Sequence, residues 1–154
     1  MTTRRVRRIP PVVLTVVFAL VMWMVAAVTP ELKVPLPPRA ALAVAFAVTG
    51  LLVMTLALRG FRQQRTSVNP VDLTRTSAVV TTGIYRVSRN PMYVAMLLGL
   101  LALGCLLSNP YAMGIAVLFV PAITALQIVP EERVLSQRFG AAYLTYCRTV
   151  RRWI

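Results

Sequence analysis

The sequence predicts an all-α integral membrane protein with four transmembrane helices and a C-terminal amphipathic helix that lies in the membrane interface. Two observations support this class: 58% of the 154 residues are hydrophobic, and the mean hydropathy is +0.72. Soluble domains contain about 45–50% apolar residues. Several apolar runs also approach the length of about 18 residues that is needed to cross a bilayer.

The first predicted span, residues 11–28, follows four arginines near the start of the chain. Such a start also resembles a signal peptide, but the run is long for that role and a second span follows, which favours a retained signal-anchor helix. Four prolines predict a loop over residues 29–39. Residues 40–58 form the second span, where Gly50 would allow close contact with a neighbouring helix.

A polar segment with six arginines, residues 59–90, precedes the third span, residues 92–107. That span has 16 residues, or about 24 Å of helix, which is short for a hydrocarbon core of about 30 Å. A Ser-Asn-Pro turn connects it to the fourth span, residues 111–129, in which Pro121 should kink the helix. The third and fourth spans are expected to form a helical hairpin.

The tail is expected to form a new helix that begins at Glu131, after Pro130 stops the fourth span. An apolar stripe at helical spacing follows, with arginines largely off it. The stripe contains Leu135, Phe139, Ala142, Tyr143, Tyr146 and Val150. This pattern predicts a helix in the membrane interface. A helix folded onto the protein's own core is the alternative that the pattern leaves open.

We expect residues 1–58 to hold the two N-terminal transmembrane helices and residues 59–154 to form the rest of one structural unit. The N-terminal region has four basic residues, the middle loop six and the tail five, whereas the first outer loop has two. An even number of spans puts the three basic regions on one side, which should be cytoplasmic, with both termini. The compact chain, rich in Ala, Val and Arg, suggests a bacterial inner membrane.

The net charge of +13 is typical of nucleic-acid binders, but the arginines lie beside the apolar segments. That position indicates contact with the anionic headgroups of membrane lipids, with no nucleic acid as partner. The chain has no His and only two cysteines, Cys105 and Cys147, in unrelated settings. This argues against a disulfide framework and a zinc site. Dinucleotide-type and phosphate-binding Gly motifs are absent.

Candidate functional residues lie in two polar pieces on the predicted cytoplasmic face. One piece ends in Arg-Asn-Pro-Met-Tyr at residues 89–93, and the other is Glu131-Glu132, half of the protein's acidic residues. Arg can bind a carboxylate, Glu a cation, and Tyr offers a hydroxyl and an aromatic face. The residues alone leave ordinary structural roles open: Arg as a lipid anchor, Asn or Glu as a cap, and Pro as the first helical residue.

The stretch 79–86, Val-Val-Thr-Thr-Gly-Ile-Tyr-Arg, together with residues 89–93, resembles the signature of the isoprenylcysteine carboxyl methyltransferase and phospholipid methyltransferase superfamily. Its usual form is Arg-His-Pro-x-Tyr, a membrane hairpin and then Glu-Glu. Tail positions that also resemble the family are residues 130–135, Phe139-Gly140, Tyr143, Tyr146 and Arg151-Arg152-Trp153. The resemblance covers residues 69–153 and implies that residues 59–154 are a methyltransferase core.

The resemblance implies S-adenosylmethionine as methyl donor, and the residue composition predicts no metal site. Its implied cofactor-binding residues are Ser77, Ala78, Val79, Val80, Tyr85, Asn90, Pro91, Met92, Tyr93 and Glu131. The implied catalytic residues are Arg89, Glu131 and Glu132, and the implied substrate-binding residues are Gln127 and Tyr146.

Two positions depart from the family pattern. Asn90 replaces His and cannot act as a titrating base, but positioning can supply most of the catalysis of an in-line methyl transfer. A carboxylate or thiolate acceptor needs no base, whereas an amine would need Glu131 or Glu132. Gln127 replaces a substrate-contacting Arg, which argues against a carboxylate substrate.

The sequence therefore predicts a membrane methyltransferase that uses S-adenosylmethionine and acts on a lipophilic small molecule or lipid at the cytoplasmic interface. The alternative is a non-catalytic basic membrane scaffold that binds anionic lipid. A small-solute transporter is disfavoured because the spans contain no charged residue. The sequence leaves the acceptor and the oligomeric state open.

Overall fold

The computed structural model describes residues 9–63 and 80–154. The regular structure within these two stretches is helical, which confirms the predicted all-α class. Its elements are α1 (Pro11–Val28), α2 (Leu36–Gln63), a 3-10 turn (Gly83–Arg86), α3 (Pro91–Leu107), α4 (Pro110–Ile123), a π segment (Thr124–Ile128), α5 (Val129–Phe139) and α6 (Ala141–Thr149).

Three helical stretches of the described residues are long and apolar enough to cross a membrane: Pro11–Val28, Leu36–Gly60 and Pro110–Phe139. The helix α3 is apolar but has only 17 residues, so it reaches about 26 Å against a hydrocarbon core of about 30 Å. The prediction of four transmembrane helices is therefore corrected to three, with α3 as a shorter apolar helix beside them.

The helix α2 begins earlier and ends later than the sequence predicts. Pro37 and Pro38, which the sequence places in a loop, lie in its first turn, where backbone N–H groups have no partner within the helix and proline is tolerated. At its other end, α2 continues through Arg59 and Arg62 to Gln63. The predicted boundary between residues 58 and 59 therefore falls inside a continuous helix.

The helix α3 is central and packs against α1, α2 and α4, while α1 also packs against α4. The main core includes Met22, Leu100, Phe119 and Ile123, all with less than 3% of their surface exposed. The rings of Phe18 and Phe119 meet edge to face, with centroids 5.3 Å apart. The core thus lies between α1, α3 and α4, and much of the apolar surface of α1 and α2 faces outward.

Gly50 allows a close approach of α2 to α3, as its position in the sequence predicts. A Cβ atom at Gly50 would lie 3.2 Å from the carbonyl oxygen of Ala95 and 3.2 Å from Cβ of Leu98. Both neighbours belong to α3, so a larger residue must push the two helices apart.

We expect Gly50→Val to lower the free energy of unfolding by about 1–3 kcal/mol, the usual cost of overpacking. Gly114→Val is the matched control, because a Cβ at Gly114 would meet no atom within 4 Å. Thermal unfolding of both variants in one detergent measures the difference. Equal losses would show that the contact at Gly50 does not limit how closely α2 and α3 pack.

Asn109 fixes the end of the bundle where α3 turns into α4. Its side-chain oxygen accepts hydrogen bonds from the backbone N–H groups of Tyr111 and Ala112, which caps α4. Its amide nitrogen donates to Oγ1 of Thr29 at 2.8 Å and to the carbonyl oxygen of Pro30 at 3.2 Å. One side chain therefore joins the α3–α4 turn to the α1–α2 loop.

The opposite end of the bundle holds the start of α1, the end of α2 and the start of α5. The side-chain amide of Gln127 donates to the backbone carbonyl of Ile9, just before α1. Tyr85 packs with Ala57 near the end of α2. The described parts of the chain that border the three basic regions therefore share one end of the bundle.

Pro130 does not stop the helix that contains the fourth predicted span. A π segment follows α4, and α5 continues from it without a break. The kink expected at Pro121 stays a prediction. The backbone N–H of Val129 bonds to the carbonyl of Thr124, five residues earlier. This wider turn relieves the clash that the Pro130 ring would make in a regular helix. The prediction that Glu131 starts a new helix is therefore wrong.

The tail beyond the π segment forms two helices in place of the predicted one. Gly140 separates them with φ of +53°, a backbone conformation that favours glycine. Tyr143, Tyr146 and Val150 form a buried cluster with Leu135 of α5 packed against it. The apolar stripe thus folds onto the protein, which is the alternative that the sequence left open, and the prediction of an interfacial helix is corrected.

Candidate active site between α3 and α5

The two polar pieces of the sequence meet at the first turns of α3 and α5. Tyr93 is the third residue of α3, and its hydroxyl donates to Oε1 of Glu131 at 2.8 Å. Only 5% of the Tyr93 surface is exposed, and Glu131 is half-buried. The early start of α3 at Pro91, a residue suited to the first helical position, places Tyr93 at this height.

Glu132 points to a different set of partners. Arg152 donates to it through two nitrogens, Nε to Oε1 at 3.0 Å and Nη2 to Oε2 at 2.7 Å. Arg89 approaches the same carboxylate at 3.3 Å and also contacts Sγ of Cys147. The hydrogen bonds that Arg152 donates to Glu132 raise the pKa of Arg152. Glu132 therefore forms an internal ion-pair network that includes Arg89.

The side-chain amide of Asn90 makes a hydrogen bond to the C-terminal segment that follows α6. Its Nδ2 donates to the carbonyl of Arg152 at 3.0 Å, and the backbone N–H of Arg89 donates to the carbonyl of Arg151 at 3.0 Å. The hydroxyl of Ser88 accepts from the backbone N–H of Asn90. Asn90, which the sequence predicts to bind the cofactor, thus connects the start of α3 to Arg152.

Tyr85 and Val80 form the wall of the site on the side of α2. Both are buried together with Ala57, and Met92 packs against this cluster. The hydroxyl of Tyr146 donates to the backbone carbonyl of Tyr85 at 2.6 Å. Ser77, Ala78 and Val79, also predicted to bind cofactor, lie outside the described residues.

Burial raises the pKa of Tyr146 to about 12, and burial followed by the neighbouring Tyr146 raises the pKa of Tyr85. The ordinary value is 10.0. Since the folded-state pKa of Tyr146 is the higher one, its contribution to stability is complete below pH 10 and is lost as pH rises toward about 12.

We expect the free energy of unfolding to fall with pH above pH 10 more steeply in the wild type than in Tyr146→Phe. At neutral pH the variant should be less stable by about 0.5–1.5 kcal/mol, because it lacks the hydrogen bond to Tyr85. Chemical unfolding in detergent at a series of pH values measures both effects. Identical slopes for the two proteins would contradict the role of Tyr146.

The two predicted substrate residues are both buried. Gln127, one turn before Glu131, has 2% of its surface exposed, and its side-chain amide donates to the backbone carbonyl of Ile9. Tyr146 has 8% exposed and uses its hydroxyl on Tyr85. Both of these contacts are to the protein's own backbone.

Sequence reasoning missed Arg152, Ser88 and Cys147 as members of this cluster. Arg152 is one of five tail arginines, and only its resemblance to the family's C-terminus, within Arg151-Arg152-Trp153, set it apart. Ser88 and Cys147 have no pattern around them that indicates a role. Their placement depends on α6 folding back onto the 3-10 turn.

Comparison with known proteins supports the family that the motif resembles. A family model described as phospholipid methyltransferase matches residues 38–142, more than half of the chain, from α2 into α6. A protein of Haemophilus influenzae described as uncharacterized is 40% identical over 63 residues, which cover 41% of this chain and all of that protein. No solved structure matches the chain. The chain therefore belongs to the phospholipid methyltransferase family.

Proposed function

We propose that the chain is a membrane methyltransferase that uses S-adenosylmethionine and methylates a lipophilic acceptor at the cytoplasmic interface of a bacterial inner membrane. Family membership supports the reaction class. The observation that carries the cofactor assignment is the Glu131 carboxylate, held by the Tyr93 hydroxyl at the end of the bundle. The acceptor group would be a carboxylate, an amine or a thiol.

The donor set suits the charges of S-adenosylmethionine, which carries an ammonium, a sulfonium, a carboxylate and an adenosine. Glu131 is half-buried and would accept charge-assisted hydrogen bonds from the ammonium. Tyrosine faces attract a cation such as the sulfonium. Val80 and Tyr85 are buried and offer an apolar wall for adenine. Glu132 suits the ammonium less well, since both its oxygens accept from Arg152.

When bound, the cofactor supplies an electrophilic methyl group. The chain's own residues orient the reactants, and orientation alone can lower the barrier of such a displacement by several kcal/mol, with an upper range of about 7–11. The Tyr93 hydroxyl would orient the Glu131 carboxylate. The hydrogen bond from Tyr146 would hold the 3-10 turn that carries Tyr85 against α6. A carboxylate or thiolate acceptor needs no base. An amine acceptor would need a base, and Glu132, next to the Glu131 that we assign to the cofactor ammonium, is the carboxylate that remains to receive the proton.

The acceptor is proposed to enter sideways from the bilayer. Val87 and Leu126 are 59% and 52% exposed and lie close in sequence to the site residues Tyr85 and Gln127. They offer an apolar approach for a lipid chain. Gln127 is neutral and already bonded to Ile9, so it supports an amine or thiol acceptor more than a carboxylate.

Calorimetric titration with S-adenosylmethionine tests this function, first in detergent and then after reconstitution into neutral lipid. We expect saturable binding to one site per chain. Methyl transfer from labelled cofactor is then measured on lipids with an amine headgroup, long-chain thiols and fatty acids. A well-folded protein that shows no saturable binding in either medium would overturn the proposal.

One observation favours the basic-scaffold alternative as a second candidate: several arginines of the described tail and turn are exposed, namely Arg86, Arg133, Arg138, Arg148 and Arg151. A scaffold would bind anionic vesicles in proportion to this charge and would not bind the cofactor. The double variant Arg133→Gln, Arg148→Gln, at two exposed positions, separates the two candidates. It should weaken vesicle binding and leave cofactor affinity unchanged if the chain is the proposed enzyme.

A further inference from the structure

Arg152 contacts both elements that carry the Tyr93–Glu131 pair. Its guanidinium binds both oxygens of Glu132 in α5. Its backbone carbonyl accepts from the Asn90 side chain at 3.0 Å and from the Ser88 hydroxyl at 3.5 Å. One residue therefore connects the segment that leads into α3 with the first turn of α5.

Both connections lie close to the paired residues without touching them. Asn90 immediately precedes α3 and is three positions before Tyr93, and Glu132 directly follows Glu131. Adjacent helical residues point about 100° apart, so Arg152 holds α5 on one side while Tyr93 contacts it on another. Trp153 packs against the main core, which anchors the segment that supplies these contacts.

The Arg152–Glu132 contact has the geometry of a positioning interaction. It is bidentate, and the Glu132 side chain is only 16% exposed. The planar guanidinium matches a carboxylate with two parallel bonds, so it fixes direction as well as distance, which a lysine cannot do. Arg89 contacts Glu132 at a longer 3.3 Å and through one nitrogen.

We propose that Arg152 is a positioning residue that sets the distance between the first turns of α3 and α5, and with it the geometry of the Tyr93–Glu131 pair. This inference rests on the proposed function, because cofactor affinity is its main readout. When the Arg152 side chain is replaced, Glu132 loses its bidentate partner, while the backbone carbonyl that Asn90 binds remains. The first turn of α5 is then no longer held to the segment that leads into α3. The Glu131 carboxylate then no longer meets the cofactor ammonium at its bonding distance.

The test compares S-adenosylmethionine affinity of Arg152→Gln, Arg152→Lys and Arg151→Gln by calorimetry. We expect about a tenfold loss of affinity for Arg152→Gln, because a displaced Glu131 carboxylate would keep only part of its charge-assisted bond to the ammonium. Arg152→Lys should recover part of the lost affinity, because lysine keeps the positive charge but cannot form the two parallel bonds of the planar guanidinium. Arg151→Gln removes the same charge from an exposed neighbour and should stay within about twofold. Wild-type affinity in Arg152→Gln would overturn the proposal.

A double-mutant cycle shows whether Arg152 acts through Glu132. In a Glu132→Gln background, adding Arg152→Gln should change the affinity by less than about twofold, because coupled residues are non-additive. Full additivity of the two losses would overturn the proposed route. If Arg152→Gln does not fold, the same comparison is made with Arg152→Lys, which must then bind more weakly than Arg151→Gln.

Trp153 gives a readout that does not need the cofactor. In a Trp23→Phe background, acrylamide quenching of Trp153 should increase on Arg152→Gln and stay unchanged on Arg151→Gln. A wild type that binds no S-adenosylmethionine would overturn the proposed function and the role of Arg152 in cofactor affinity. Unchanged quenching in Arg152→Gln would overturn the docking contact itself, whatever the binding result.

Discussion

Glu131→Gln is expected to weaken S-adenosylmethionine binding by about 30- to 150-fold. The glutamine keeps the shape of the side chain and still accepts the bond from Tyr93, but it lacks the charge that would pair with the ammonium. A hydrogen bond to a charged group contributes about 1.5–3 kcal/mol, and about 2–3 kcal/mol corresponds to this loss. Calorimetric titration of the purified variant measures it, with thermal unfolding as the check on folding.

Two variants frame that result. Tyr93→Phe removes the hydroxyl that bonds the Glu131 carboxylate but keeps the charge of that carboxylate, so we expect a smaller loss of about two- to tenfold. Glu31→Gln removes one negative charge from an exposed loop residue at the opposite end of the bundle and should bind as the wild type does. A Glu131→Gln protein that binds as tightly as Glu31→Gln would remove Glu131 from the cofactor site.

Asn109→Ala is expected to lower the free energy of unfolding by about 2–4 kcal/mol. The loss of the cap on α4 accounts for about 1 kcal/mol, and the unpaired groups left around a side chain that is 2% exposed account for about 1–3 kcal/mol. Unfolding in detergent, followed by circular dichroism, measures the total. Since this turn lies at the end of the bundle away from Glu131, cofactor affinity of the folded variant should not change.

The partner of Asn109 provides the control. Thr29→Val removes the hydroxyl that accepts from the Asn109 amide and donates to the carbonyl of Val25, with an expected loss of about 1 kcal/mol. The double variant should lose less free energy of unfolding than the sum of the two single-variant losses, because the two residues share a hydrogen bond. Strict additivity would mean that the contact between the α1–α2 loop and the α3–α4 turn does not contribute.

Local patterns in the sequence predicted the elements that depend on local physics. The span at residues 11–28 matches α1, the hairpin of α3 and α4 is present, and Gly50 lies at a close helix contact. Proline is ambiguous in such patterns. Pro37 and Pro38 are compatible with a loop or with a first helical turn, and Pro130 ends a regular helix but is accommodated after a widened one.

Long-range placement could not be predicted in the same way. The apolar stripe of the tail would suit lipid or protein equally well, and only the contact of Tyr146 with Tyr85 decides between them. Glu131 and Glu132 are adjacent and chemically identical. Their different partners, Tyr93 and Arg152, are 38 and 20 residues away in sequence, and a motif contains no information about which carboxylate meets which partner.

The widened turn at residues 124–128 also changes the direction in which side chains point before and after it along one continuous helix. In a regular helix each residue advances the direction by about 100°, so the azimuth of Glu131 would follow directly from that of Phe119 and Ile123. The bond from Val129 to Thr124 spans five residues, which inserts an angular offset between the apolar face toward α1 and the carboxylate. The direction of Glu131 around the helix axis therefore depends on the number of residues in this turn, and not on which apolar side chains face α1. Substitution of those apolar side chains should leave the direction of Glu131 unchanged, whereas deletion of one residue from the turn should point the carboxylate away from Tyr93.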